Sequence, residues 1–335
     1  MIDFLFTIDY EIYGNGTGSL SQLVHEPTCE LKKLFDQHGA KFVTFVEIAE
    51  LEKIDTFGAD SAIELVKKQV RDLHKEGFEI GLHLHPQWAN ARYEKGQWLL
   101  DLREYNLCTL SRERIVEIVD RSLSYMRHVV DEAQFTPSSF RAGNWLFQPT
   151  KTAAGVLAGR GIKIDSSVFK GGLQRKNRLD YRKSQGNGYF WSFGDDVNKP
   201  DPAGTLIEVP IYSEMVAPWR MATSKRMTYK NQYNATSQNR LDKVIRSLDF
   251  LRFRYPLKLD FCRMTLAEMI SMMKRVILED RNDPERYRPI ISIGHTKDLQ
   301  DFETVDSFLS FLKSNQIKVS TFHQLVPKLT MRSTN

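Results

Sequence analysis

Short apolar runs rich in β-branched and aromatic residues alternate with amphipathic helical segments from Ile2 to Phe322, and this alternation is what most restricts the fold. The runs are IDFLFTID at 2–9, KFVTFVEI at 41–48, FEIGLHLH at 78–85, SSFRAG at 138–143, IKIDSSV at 162–168, LIEVPIY at 206–212, PIISIGH at 289–295 and IKVSTF at 317–322. Between them lie helices expected at 27–37, 60–75, 111 to about 126, 150–160, 265 to about 280 and 301–314. The one opening at Thr265 carries the capping box TLAE. Strands that alternate with helices build a largely parallel sheet covered by helices. No repeat or low-complexity linker interrupts the order, so residues 1–330 read as a single α/β domain.

The 335 residues are 41% hydrophobic, which suits one large packed core and excludes disordered or fibrous classes. No run approaches the roughly 18 apolar residues of a membrane span, and the acidic start MIDFLFTIDYE does not suit an export signal. Cys29, Cys108 and Cys262 are isolated from one another, which argues against a disulfide framework and a thiolate metal site. A cytoplasmic location is the expectation. The net charge of +5 is too small to point to nucleic acid. Basic residues nevertheless concentrate between Lys170 and Lys243, a segment read as one long insertion over about 169–250, suited either to plain solvation or to sugars and anions.

Several strands end in ionisable residues: Asp9 and Glu11, His83 and His85, Arg141, Asp165 and His295. Ligands of parallel α/β folds bind beyond the carboxyl ends of the strands, so these groups should converge. Residues two apart on a strand share a face. Asp9 with Glu11 therefore offers two carboxylates to one site or caps the GNGTG loop, and His83 with His85 offers half a metal site or two structural imidazoles. Imidazole with carboxylate suits Zn²⁺, and also Mn²⁺, Fe²⁺ or Co²⁺. Arg141 could fork onto Asp9, His295 could donate a proton, and Asp165 could tune that histidine.

In this order the motifs resemble those of the polysaccharide deacetylase family, the NodB-homology carbohydrate esterases. TIDYE at 7–11 is similar to that family's first acidic motif, VTFV at 43–46 to its second strand, EIGLHLHPQ at 79–87 to its histidine motif, FRAGNW at 140–145 to its arginine motif and IISIGH to its last. The resemblance implies a distorted (β/α)7 barrel and metal-dependent removal of acetyl groups from N-acetylated sugars, with a role in surface-polysaccharide assembly. On its terms Asp9 is the base, Arg141 orients it, His295 is the general acid and His83 is a metal ligand. Three positions depart from the family. Tyr10 stands where the metal-binding acid is expected, so Glu11 must serve; Gln87 replaces the second metal histidine, so His85 must serve; and Ala142, Gly143 and Asn144 replace the proline-tyrosine segment. Gln87, Asn144, Trp88, Trp145 and Trp219 are candidates for substrate contact. The alternatives are a deacetylase-like protein that binds carbohydrate without hydrolysis and a different metal-dependent amidohydrolase. In the latter, HxH closes the first strand, whereas here it closes the third.

Overall fold

The computed structural model describes all residues except 187, 222, 224, 226–251 and 333–335. Among the described residues, nine strands form one sheet: β1 (Ile2–Tyr10), β2 (Val43–Glu47), β3 (Glu79–Leu84), β4 (Ser139–Ala142), β5 (Ile164–Asp165), β6 (Trp191–Phe193), β7 (Leu206–Glu208), β8 (Arg288–His295) and β9 (Lys318–Val319). Their order is β6-β7-β5-β4-β3-β2-β1-β8, with β9 beside the start of β1. All pairs are parallel except β6 with β7. Apart from Ile2 at its start, β1 is buried along its whole length, as is β8, which fits strands covered on both faces.

The helices are α1 (Glu26–Gln37), α2 (Ile48–Phe57), α3 (Ile63–Lys75), α4 (Arg112–Val130), α5 (Lys151–Ala158), α6 (Leu266–Asn282), α7 (Phe302–Ser314) and α8 (Phe322–Arg332). In α3, Ile63, Val66, Val70 and Leu73 form the buried stripe expected of a 3.6-residue period. Ser111 caps α4 by accepting the Arg114 N–H, and Thr265 and Glu268 exchange the reciprocal bonds of the expected capping box on α6.

The sheet curls, and isolated bridges connect its two ends. Ile211, just past β7, bridges both Phe169 and Ile291 of β8, and Asp260 bridges Ile293. Tyr212 N–H donates to the Ile291 carbonyl, and Leu259 N–H donates to that of Tyr212. The region 169–250 is therefore not one insertion. Strands β6 and β7 inside it extend the main sheet, because LIE and WSF supply buried apolar residues to the same core. Most of the remaining basic stretch, 226–251, lies outside the described residues. None of the helices among the described residues is long and apolar enough to cross a membrane.

Candidate active site

Parallel pairing sets the depth of each functional side chain. β1 and β8 run in a register that places Asp9 opposite His295, while β3 and β4 place His83 opposite Arg141. These residues meet at the carboxyl ends of the strands, all of them buried. Alternation sends Tyr10 to the opposite side of β1, where its hydroxyl donates to Gln69 of α3, and leaves Asp9 and Glu11 facing the site.

Arg141 is fully buried and hydrogen-bonded on every side. Its Nη1 donates to Asp9 Oδ1 at 2.6 Å, Nη2 to Thr7 Oγ1 at 2.8 Å and Nε to the Ser166 carbonyl at 3.0 Å, and the guanidinium lies over the Phe45 ring. Burial works to raise the Asp9 pKa, but Arg141, His83 and His295 together outweigh it and hold the carboxyl below the usual range.

Glu11 is shared between two sides. Lys297 Nζ donates to Oε1 at 2.7 Å, and Oε2 faces His85 Nε2 at 3.1 Å and His83 Nε2 at 3.7 Å. His83 Nδ1 donates to the Arg141 carbonyl at 2.8 Å, so in the neutral ring Nε2 keeps its lone pair, and that atom is buried without a hydrogen-bond partner. Burial pushes the His83 pKa down, yet Asp9 and Glu11 drive it up to about 9. The space around Nε2 thus favours positive charge. Donor atoms of Glu11, His83 and His85 all lie within 4.8 Å of one another, as do those of Asp9, Glu11 and His295. An orphaned imidazole lone pair beside two carboxylates is the donor set a divalent cation requires, and the residues fit one.

The other candidates separate. His85 Nδ1 lies 3.2 Å from Gln87 Nε2 and 3.3 Å from Asn144 Nδ2, so both amides brace His85. Gln87 is buried, and its Oε1 has no hydrogen-bond partner among the described residues. Trp88 is also buried, edge-on to Trp98, and presents no face to a ligand. Trp145 is half-buried with its ring edge-on to His295 at 6.2 Å. Trp219 is 76% exposed and is not part of the core. Asp165 does not face His295. It accepts a hydrogen bond from Ser167 Oγ at 2.6 Å and pairs with Glu208, since β5 and β7 are adjacent. The carboxylate beside His295 Nδ1 is Asp298, at 3.6 Å, itself held by Arg263.

Sequence reasoning missed Glu47 and Glu50. Glu47, at the end of β2, accepts the His85 N–H at 2.6 Å, and burial lifts its pKa to about 7, with Glu11 adding to the rise and both histidines opposing it. Glu50 accepts the Ile12 N–H at 2.9 Å. The rule applied to the other strand ends would have found Glu47. Glu50 gave no signal, because α2 starts directly after β2.

No protein-family model matches the sequence, and no curated protein matches it. Solved structures do. A Mycobacterium smegmatis protein assigned as a polysaccharide deacetylase shares 14% identity and a TM-score of 0.54, over 99% of this chain and 91% of that one. A Pseudomonas aeruginosa protein assigned likewise shares 11% identity and a TM-score of 0.51, over 99% and 91%. A GH57 branching enzyme from Thermococcus kodakaraensis shares 11% identity and a TM-score of 0.55, over 97% of this chain and 70% of that one. The chain therefore has the fold seen in polysaccharide deacetylases, a fold that also serves other carbohydrate chemistry.

Proposed function

We propose that the protein is a metal-dependent deacetylase that removes acetyl from an N-acetylated sugar or polysaccharide precursor, on a distorted (β/α)7 barrel. The observation that carries this reading is the adjacency of two half-sites. Asp9, fixed by Arg141, lies between the orphaned His83 Nε2 at 3.9 Å and His295 Nε2 at 3.5 Å. Glu11 Oε2, His83 Nε2 and His85 Nε2 would hold the metal. For His85 this requires Nδ1 to carry the proton, with the Gln87 amide turned so that Oε1, now without a partner, accepts it. A divalent ion there supplies Lewis-acid polarisation of the acetyl carbonyl and a more acidic water; Zn²⁺ suits the ligands.

The chain's own groups perform the proton transfers. Arg141 occupies Asp9 Oδ1 and leaves Oδ2 to accept the proton of the attacking water. As the carbon–nitrogen bond breaks, His295 Nε2 protonates the departing amine, and Asp298 at Nδ1 favours the imidazolium against the effect of burial. Trp145 flanks this point and would contact the sugar ring. A second reading, carbohydrate binding without hydrolysis, is favoured by Lys297, whose ammonium already neutralises part of the Glu11 charge.

The test is metal analysis of metal-replete protein together with acetate release from N-acetylglucosamine oligosaccharides. About one equivalent of metal and acetate release abolished by Asp9→Asn support the deacetylase. Metal-free protein that binds the sugar and releases no acetate supports the second reading.

A further inference from the structure

Among the described residues, Lys258 is the cation near the site that its surroundings leave uncompensated. Arg141 is held by Asp9, Lys297 by Glu11 and Arg263 by Asp298. Among the described residues, Lys258 has no hydrogen-bond acceptor and no ion-pair partner. Its Nζ lies 3.0 Å from the centre of the Trp145 ring and 4.8 Å from that of Phe169. The nearby carboxylate of Asp260 is engaged by the N–H groups of Cys262 and Arg263. An ammonium held on aromatic faces gains cation–π attraction but lacks the acceptors that water supplies. Burial pushes the Lys258 pKa down to about 7, with Asp260 opposing and Arg263 adding.

The residue beneath it is held with equal effort. Asn144 and Trp145 both have positive φ, 53° and 60°, a left-handed conformation that is costly for two consecutive residues other than glycine. Gly143 lets this turn sit against His85, because a Cβ there would come within 2.6 Å of the Leu84 carbonyl and 2.7 Å of the imidazole. The strained turn aims Asn144 at His85 and sets the Trp145 ring between His295 and Lys258. Lys258 comes from a different part of the chain: it pairs with Ser213, and residues 259–261 just after it run beside β8. Two unrelated segments thus place a half-buried ammonium, without an ion-pair partner among the described residues, one aromatic ring away from the proposed general acid.

We propose that Lys258, on the face of Trp145, forms a subsite for an anionic substituent, a carboxylate or a phosphate, carried by the N-acylated sugar. The subsite rests on the deacetylase reading for its substrate, but the anion preference is separable from turnover. A substituent anion supplies the missing acceptor and restores the charged amine. Lysine suits this task as a compact point charge that accepts either anion.

The experiment compares N-acetylglucosamine, N-acetylglucosamine 1-phosphate and N-acetylmuramic acid as probes of the metal-replete wild type, Lys258→Met and Lys258→Arg, measuring both acetate release and binding by calorimetry. The wild type should prefer at least one anionic sugar over the neutral one by tenfold or more. Lys258→Met should remove that preference through KM, and Lys258→Arg should restore most of it. Preference for the phosphate or for the carboxylate sugar identifies the source of the anion. Equal handling of neutral and anionic sugars by the wild type, or an equal loss on both in Lys258→Met with Lys258→Arg no better, overturns the proposal. Lys258-dependent binding of an anionic sugar without acetate release keeps the subsite and overturns the deacetylase.

Discussion

Arg141 and His295 make different demands on the residues around them, and their variants should fail differently. Arg141 is buried with Asp9 as its charge partner, so Arg141→Met leaves the buried carboxylate with only His83 and His295 to offset its charge. Breaking one side of such a pair costs about 3–5 kcal/mol, and urea melts should show a loss of that order in addition to impaired turnover. A variant as stable as the wild type would show that the Arg141 pairing is not what holds Asp9 ionised. His295 lies at the end of β8, and its Nδ1 is buried without a hydrogen bond. His295→Ala should lower acetate release from an N-acetyl sugar by about 10² to 10⁴, while an aryl acetate, whose leaving group needs no proton, is largely spared. Equal losses on both substrates would remove His295 from the acid role.

Strands and the turns that follow them carry the candidate site, and that is why part of it was legible in the sequence. A charged residue closing an apolar run stands out, so Asp9, His83, Arg141 and His295 could be read, and parallel register brought them together. Asp298 was harder to read. It reaches His295 through the short turn after β8, three residues on, whereas Asp165 has the right kind of position on the wrong strand. Lys258 was invisible, since the segment that presents it joins the sheet through isolated bridges rather than a long run. The turn after β4 gives a prediction at this scale. Gly143→Ala should displace His85 or unseat Trp145 and weaken metal binding by tenfold or more, read by competition with a chelating dye; unchanged affinity would show that the close approach of this turn is not needed. The ends of β1 and α8 are joined by Asp3, which accepts hydrogen bonds from Tyr287 and Ser320 and an ion pair from Lys328. Burial works to raise the Asp3 pKa, but these three partners reverse it and leave it below the ordinary value. A carboxyl with a depressed folded-state pKa stabilises above its unfolded pKa of about 3.9 and loses that contribution as pH falls through the folded value. The stability margin of the wild type over Asp3→Asn should therefore be full above about pH 4 and shrink in more acidic melts. A margin independent of pH would show that the ion pair contributes nothing.

At the scale of the whole molecule, the candidate ligands span the middle of the sheet. Glu11 follows β1 and His83 lies on β3, with β2 between them, so an ion held by both ties together three strands of the core rather than a peripheral loop. The overall α/β architecture was readable because alternation over 320 residues leaves few other solutions, whereas the membership of β6 and β7 in the sheet depends on a return of the chain that local composition cannot encode. Such a central tie couples metal binding to global unfolding. A ligand that binds only the folded state stabilises it by about 2.7 kcal/mol at a concentration 100 times its Kd. Zinc-loaded protein should therefore melt well above protein stripped with a chelator, the shift should grow with metal concentration, and the buried strands should respond as one unit. His83→Ala removes the orphaned Nε2, and its melting temperature should no longer respond to zinc, even where its metal-free stability is lower than that of the wild type. If stripped and loaded wild type melt together while the metal content differs by one equivalent, the unfolded chain holds the ion as tightly as the folded one, and Glu11, His83 and His85 do not form a fold-dependent metal site.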